Sequence, residues 1–116
     1  MPEQFFPSAA VRFIDRSAVL GDLRLAVAEA RAARPEIGRV FLFGSFARGD
    51  WTAAGDADLM VVVDREFEDI LDRSPYQIYT KAIQTDSLVY SRREFEQMAQ
   101  DPESFVARNL AAAIEL

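Results

Sequence analysis

Residues 39–64 read RVFLFGSFARGDWTAAGDADLMVVVD, and the two ends of this stretch indicate the class of fold. The apolar runs RVFLF, at 39–43, and LMVVV, at 59–63, lack the apolar–polar alternation of a half-exposed strand. Both therefore predict strands that are buried on two faces. The segment between the runs is rich in turn formers, so it predicts a loop that joins the two strands.

Two helices are predicted, one before this stretch and one after it. Apolar residues recur at three- and four-residue steps from Ser17 to about Ala33, which predicts a helix with Ser17 as its N-cap and with Pro35 ending it. A shorter helix is predicted from about Arg65 to Asp72 and is broken by Ser74-Pro75. The side chains expected to face inward from it are Phe67, Ile70 and Leu71.

The C-terminal third predicts one more strand and two more helices. Residues 83–90 alternate as a strand does, and Ser91 with Glu94 forms a capping box that opens a helix. Asp101-Pro102 predicts the start of a last helix, which runs to about Ile114. Helices that flank at least three strands indicate an α/β (α+β) domain, expected to have two layers. We predict a single domain over residues 1–116, with residues 1–16 as an N-terminal arm.

Composition excludes several kinds of chemistry. The chain has no cysteine and no histidine, which removes thiolate nucleophiles, Ser-His-Asp triads and His-ligated zinc. A net charge of −6 argues against nonspecific nucleic-acid binding, which needs cations to displace phosphate counterions. No stretch approaches the ~20 apolar residues that span a bilayer, so no membrane association and a cytoplasmic location are expected. Hard cations held by carboxylates remain the obvious means of catalysis.

Three carboxylates and one turn are candidates for such a site. Asp56 and Asp58 stand at i and i+2 of an extended chain, on one face, where a divalent ion would relieve their repulsion. A polar turn explains that pair equally well. Gly44-Ser45 follows the first strand at once and could cradle a phosphate, although such a turn is mostly structural. Asp86 lies in the third predicted strand among apolar residues, where a carboxylate is costly to bury without a partner.

The combination is specific, because the stretch GSFARGDWTAAGDAD resembles the GSx(10)DxD signature of the DNA polymerase β-like nucleotidyltransferases. The closer likeness is to the stand-alone minimal nucleotidyltransferases (MNT). The resemblance implies a small mixed sheet of three to four strands flanked by helices, with Gly44 and Ser45 binding the triphosphate of ATP. It further implies that Asp56, Asp58 and Asp86 hold two Mg²⁺ ions, with Mn²⁺ as a substitute. The family often has serine where this chain has Gly55, which leaves one local hydrogen bond in doubt.

The resemblance also implies an activity and a partner. We expect AMP transfer from ATP to a hydroxyl of a partner protein, with Asp86 accepting the hydroxyl proton because no histidine is present. Minimal nucleotidyltransferases often pair with a helical HEPN ribonuclease toxin, and a homo-oligomer is the other expected assembly. Alternatives are a non-catalytic toxin-neutralising module and a nucleotide sensor. Arg48 suits either a phosphate or a surface acid, and Trp51 either a base or the core.

Overall fold

The computed structural model describes residues 15–49 and 56–116. Residues 1–14 of the predicted N-terminal arm, among them Phe5, Phe6 and Phe13, lie outside the described residues, as do Trp51 and Gly55. The arm was predicted to end at residue 16, but Arg16 is already the first residue of the first helix. In chain order the elements are α1 (Arg16–Ala33), β1 (Ile37–Phe43), α2 (Gly44–Arg48), β2 (Ala57–Val63), a 3-10 helix (Ile70–Tyr76), β3 (Thr85–Ser91), α3 (Arg92–Gln100), α4 (Phe105–Leu110) and β4 (Ile114–Glu115).

The four strands form one mixed sheet in the order β3-β2-β1-β4. β1 is antiparallel to both β2 and β4, whereas β2 and β3 are parallel. The parallel pair requires a crossover between β2 and β3, which contains the 3-10 helix. The predicted mixed sheet of three to four strands flanked by helices is confirmed, and both apolar runs form strands that start two residues earlier than expected.

Successive residues of the two central strands supply two separate cores. On one side of the sheet, Val40, Leu42, Leu59 and Val61 pack with the buried face of α1. On the other side, the intervening residues of β1 and β2 pack with α3 and α4 through Phe41, Phe43, Met60, Val62, Phe95 and Val106. Helices therefore cover both faces. The expectation of two layers is wrong, because strands that are apolar on both faces require cover on both.

The N-terminal helix was predicted correctly in extent but not in its cap. α1 begins at Arg16, and the carboxylate of Asp15 accepts a hydrogen bond from the backbone N–H of Ser17 at 2.9 Å. Asp15 is therefore the N-cap, and Ser17 lies inside the helix. Asp and Ser are equally good N-caps, so local sequence could not separate the two.

The predicted helix at residues 65–72 is wrong in both extent and orientation. The observed element is a 3-10 helix that includes Ser74-Pro75 and is capped by Asp69. Ile70 and Leu71 are 79% and 75% exposed, so neither faces inward. Phe67 does pack against the α1-side core. Proline lacks the N–H that an α-helix interior needs, and a short 3-10 turn tolerates it.

The C-terminal segment differs from its prediction because it returns to the sheet. The capping box of Ser91 and Glu94 opens α3 as predicted. Asp101 instead ends α3, and Ser104 caps the six-residue α4. Ile114 belongs to β4 and lies opposite Leu42 of β1, so the predicted helix to Ile114 is wrong. Across the described ranges, no helix combines the length and apolar character needed to cross a bilayer.

Candidate nucleotidyl-transfer site

Two of the predicted carboxylates lie side by side at one end of the sheet. Asp58 of β2 is in register with Asp86 of the parallel strand β3, and on its other side with Phe43, the last residue of β1. The two aspartates occupy the same alternating positions as Met60 and Leu88, whose side chains contact the core beneath α3 and α4. Strand pairing thus brings together two carboxylates that are 28 positions apart in the sequence.

Gly44 lies directly against one of these carboxylates. Its φ is +79°, a backbone conformation that favours glycine, and a Cβ placed on it would approach Asp58 Oδ2 to 2.6 Å. The chain turns here from β1 into α2, whose Phe46 is fully buried and whose first turn has no side-chain cap. The absence of a side chain at Gly44 therefore leaves room for the Asp58 carboxylate, and binding of a phosphate at this turn stays a prediction.

The carboxylates and the turn share one open cleft of about 470 Å³. It is lined by Phe43, Gly44, Ser45, Arg48, Asp58, Asp86, Leu88, Phe105 and Asn109. Five of the six residues predicted for the site line this cleft. The sixth, Asp56, is exposed and immediately precedes β2.

The electrostatics of the cleft fit a bound cation. Burial raises the pKa of the Asp58 carboxyl, and the neighbouring charges of Asp86 and Asp56 raise it further. A divalent ion would remove that penalty, and an all-oxygen donor set suits Mg²⁺ or Mn²⁺. Among residues 15–49 and 56–116, no three acidic groups are already gathered as a metal cage. The charge of Asp56 raises the pKa of Asp58, but Asp56 is not part of a three-residue acidic cluster.

Comparison with known proteins agrees with this geometry. The sequence model of the nucleotidyltransferase domain matches residues 24–111, which is most of the chain. This chain belongs to the nucleotidyltransferase domain family. The matched region of this nucleotidyltransferase includes the whole cleft, from Phe43 to Asn109. The predicted class of enzyme is confirmed at the level of the family.

Two individual relatives extend the comparison. Over 62 residues the chain is 32% identical to the putative protein adenylyltransferase MJ0604 of Methanocaldococcus jannaschii, a match over 53% of this chain and 62% of that protein. The chain thus spans less than two thirds of that relative's length. The fold is shared with the crystal structure of a putative nucleotidyltransferase from Sulfolobus solfataricus. That likeness has a TM-score of 0.56 and 24% identity, over 71% of this chain and 75% of the other.

Sequence reasoning missed the cleft residues Phe43, Leu88, Phe105 and Asn109. Phe43 was predicted only as the last residue of the first strand. Leu88 carried a detectable signal, because it stands two residues after Asp86 on the same strand face. Phe105 and Asn109 carried none. They are a helical turn apart on α4, and only the packing of that helix over β1 places them beside the carboxylates.

Proposed function

We propose that this nucleotidyltransferase transfers AMP from ATP to a hydroxyl group of a partner protein. The observation that carries the proposal is the pairing of Asp58 with Asp86 at the strand end where Gly44 contacts Asp58. Asp58 is half-buried and Asp86 is exposed, so the expected burial of Asp86 is wrong, but the two carboxylates still lie side by side in the cleft. Together with the glycine turn they supply both cation ligands and a backbone surface for phosphate. The name of the Methanocaldococcus relative, a protein adenylyltransferase, supports a protein as the acceptor.

Each cleft residue has a role in this proposal. Asp56, Asp58 and Asp86 would hold Mg²⁺, which would neutralise the carboxylates and supply positive charge for the phosphates. Gly44 and Ser45 bind the triphosphate through the turn, and Arg48, which lines the same cleft, binds a phosphate oxygen. Asp56 immediately precedes β2 and lies near enough to raise the pKa of the Asp58 carboxyl.

The transfer forms one bond and breaks one. The acceptor hydroxyl oxygen bonds to the α-phosphorus of ATP, and the bond from that phosphorus to the α–β bridging oxygen breaks, so pyrophosphate leaves. The hydroxyl proton passes to the carboxylate of Asp86. The remaining contribution of the protein is to hold donor and acceptor in line.

The proposed acceptor is a HEPN-type toxin, for which this chain acts as the antitoxin. The resemblance of the signature to minimal nucleotidyltransferases supports this choice of partner. We further propose that residues 1–116 form one domain and that the pair acts in the cytoplasm. A second copy of the chain is the alternative partner.

The decisive experiment mixes the purified chain, ATP, Mg²⁺ and a purified HEPN-type protein, and then measures the masses of both proteins by mass spectrometry. We expect one or a few AMP masses on the partner, on a tyrosine. Asp86→Asn should bind the partner as well as wild type but modify it at least about a hundredfold more slowly, because it loses a cation ligand and a proton acceptor. Asp64→Asn, an exposed aspartate at the far end of β2, should modify at the wild-type rate.

Tight binding without added mass would contradict transfer. It would place the chain among non-catalytic toxin-neutralising modules of the same fold. If Asp86→Asn adds AMP to the partner as fast as wild type does, transfer occurs but Asp86 has no role in it.

A further inference from the structure

Phe105 is a large aromatic side chain displayed in the cleft. It is 40% exposed although it belongs to a helix that packs on the sheet. Its ring meets Phe43 edge to face, with centroids 5.6 Å apart and an interplanar angle of 88°. In this arrangement the edge of one ring packs against the face of the other, and this contact orients the Phe105 ring.

The position of α4 is set by its other residues. Val106 is fully buried beneath the helix. The Ser104 hydroxyl donates to the carbonyl of Met98 and accepts from the N–H of Ala107, which ties α4 to α3 at its first turn. Asn109 donates to the carbonyl of Phe105 at 2.8 Å, within the helix. Phe105 is therefore held in place by a rigid scaffold, and it adds exposed apolar surface that the core does not need.

The residues that line the cleft are of two chemical kinds. The polar ones are the Gly44-Ser45 turn, Arg48, Asn109 and the two carboxylates. The apolar ones are Phe43, Leu88 and Phe105. A ligand complementary to both kinds combines a polyanion with a flat apolar group, which describes a nucleoside triphosphate.

We propose that Phe105 is a stacking platform for the nucleobase of the bound nucleoside triphosphate. The proposal rests on the proposed function and adds the subsite that binds the base. The face of an aromatic ring stacks on any base, because every base presents a π face. Phe105 therefore increases the affinity for the nucleotide without discriminating between adenine and guanine. Within residues 15–49 and 56–116, the other large apolar residues that are strongly exposed, Leu25, Ile70, Leu71 and Tyr79, do not line this cleft.

The test compares two ligands that differ by the nucleoside. Dissociation constants for ATP and for inorganic tripolyphosphate, each with Mg²⁺, are measured by calorimetry on the wild-type chain and its variants. Phe105→Ala should weaken ATP binding about tenfold, equivalent to about 1.4 kcal/mol, within the range for one stacked base. It should leave tripolyphosphate binding unchanged, and GTP should weaken by the same factor as ATP.

Three matched variants separate stacking from other effects. Phe105→Tyr keeps the ring and should bind ATP as wild type does. Phe105→Leu keeps an apolar side chain without a π face and should resemble Phe105→Ala. Tyr79→Ala removes an aromatic that is 73% exposed outside the cleft and should change nothing.

Each outcome is decisive. Wild-type ATP affinity in Phe105→Ala, or in Phe105→Leu, would overturn the stacking platform. A loss of tripolyphosphate binding in Phe105→Ala would also overturn it, since the variant would then have disturbed the phosphate end. If the wild type binds neither ATP nor tripolyphosphate, the proposed function fails, and this inference fails with it.

Discussion

At the scale of single residues, Gly44 and Gly49 offer a matched pair. Both have a positive φ, +79° and +87°, at the two ends of α2. A Cβ on Gly49 would meet nothing within 4 Å, whereas one on Gly44 would meet Asp58 Oδ2 at 2.6 Å. Backbone strain is thus common to both positions, and displacement of the carboxylate is specific to Gly44.

We predict that Gly44→Ala and Gly49→Ala lower the free energy of unfolding by similar amounts, about 1–2 kcal/mol each. That is the cost of placing a residue with a Cβ in the left-handed backbone conformation. Only Gly44→Ala should lose stabilisation by Mg²⁺ and ATP, since the Asp58 side chain rotates away to relieve the contact. Urea unfolding with and without ligand measures both effects. Equal responses to ligand in the two variants would contradict this assignment.

Asp58 gives a second prediction at this scale. Burial and two neighbouring carboxylates disfavour its charge, so Asp58→Asn should be at least as stable as wild type without metal. With Mg²⁺ and ATP at about a hundred times the dissociation constant, wild type should gain about 2.7 kcal/mol, and the variant should lose most of that gain. Thermal melts over a ligand titration check this, with Asp64→Asn as the control.

At the scale of elements, one ion pair joins three parts of the fold. Arg73 of the 3-10 helix makes two hydrogen bonds of 2.8 Å to the carboxylate of Glu94 in α3, and a third to the carbonyl of Val89 in β3. Glu94 also accepts from the backbone N–H of Ser91, closing the capping box. The Arg73 guanidinium hydrogen bond is the main reason that the pKa of Glu94 falls to about 2.

This pair predicts a pH dependence with a definite sign. The folded pKa of Glu94, about 2, lies below its ordinary value of 4.5, so its contribution is complete above pH 4.5 and is lost as the pH falls towards 2. The two side chains are 26% and 40% exposed, so solvent screening reduces the contribution to about 1 kcal/mol. Glu94→Gln should therefore lose less stability than wild type between pH 5 and pH 2.5.

Denaturant unfolding across that range measures the difference. Glu96→Gln is the control, because Glu96 pairs with Arg92 on the surface and both side chains are about 60% exposed. Its curve should run parallel to that of wild type. A parallel curve for Glu94→Gln would show that the pair contributes nothing in solution.

At the scale of the whole molecule, the net charge of −6 predicts weak nonspecific binding to nucleic acid. Several of its arginines are engaged with acids, among them Arg39 with Glu115 and Arg73 with Glu94. A metal-free chain at about 10 µM should not retain a random DNA duplex at about 0.1 M salt, because too few cations remain to release counterions. Fluorescence anisotropy of a labelled duplex checks this. Retention that weakens steeply with added salt would indicate a basic surface.

The sequence alone determined the parts of this protein that depend on local pattern. The apolar runs that became β1 and β2, the periodicity of α1 and the Ser91–Glu94 capping box were each recognisable, because a strand, a helix and a cap depend on residues within a few positions. The signature from Gly44 to Asp58 indicated the family for the same reason: it places a turn and two carboxylates at a set spacing.

Only the tertiary structure decided which distant residues meet. It placed Asp86 in register with Asp58, a pairing that the family resemblance had only implied. It also placed Phe105 against Phe43, and residues 114–115 along β1 rather than in a helix. It also turned Ile70 and Leu71 outward. Strand pairing and helix packing depend on the fit between surfaces that are far apart in the chain, and the periodicity of one segment carries no information about its partner.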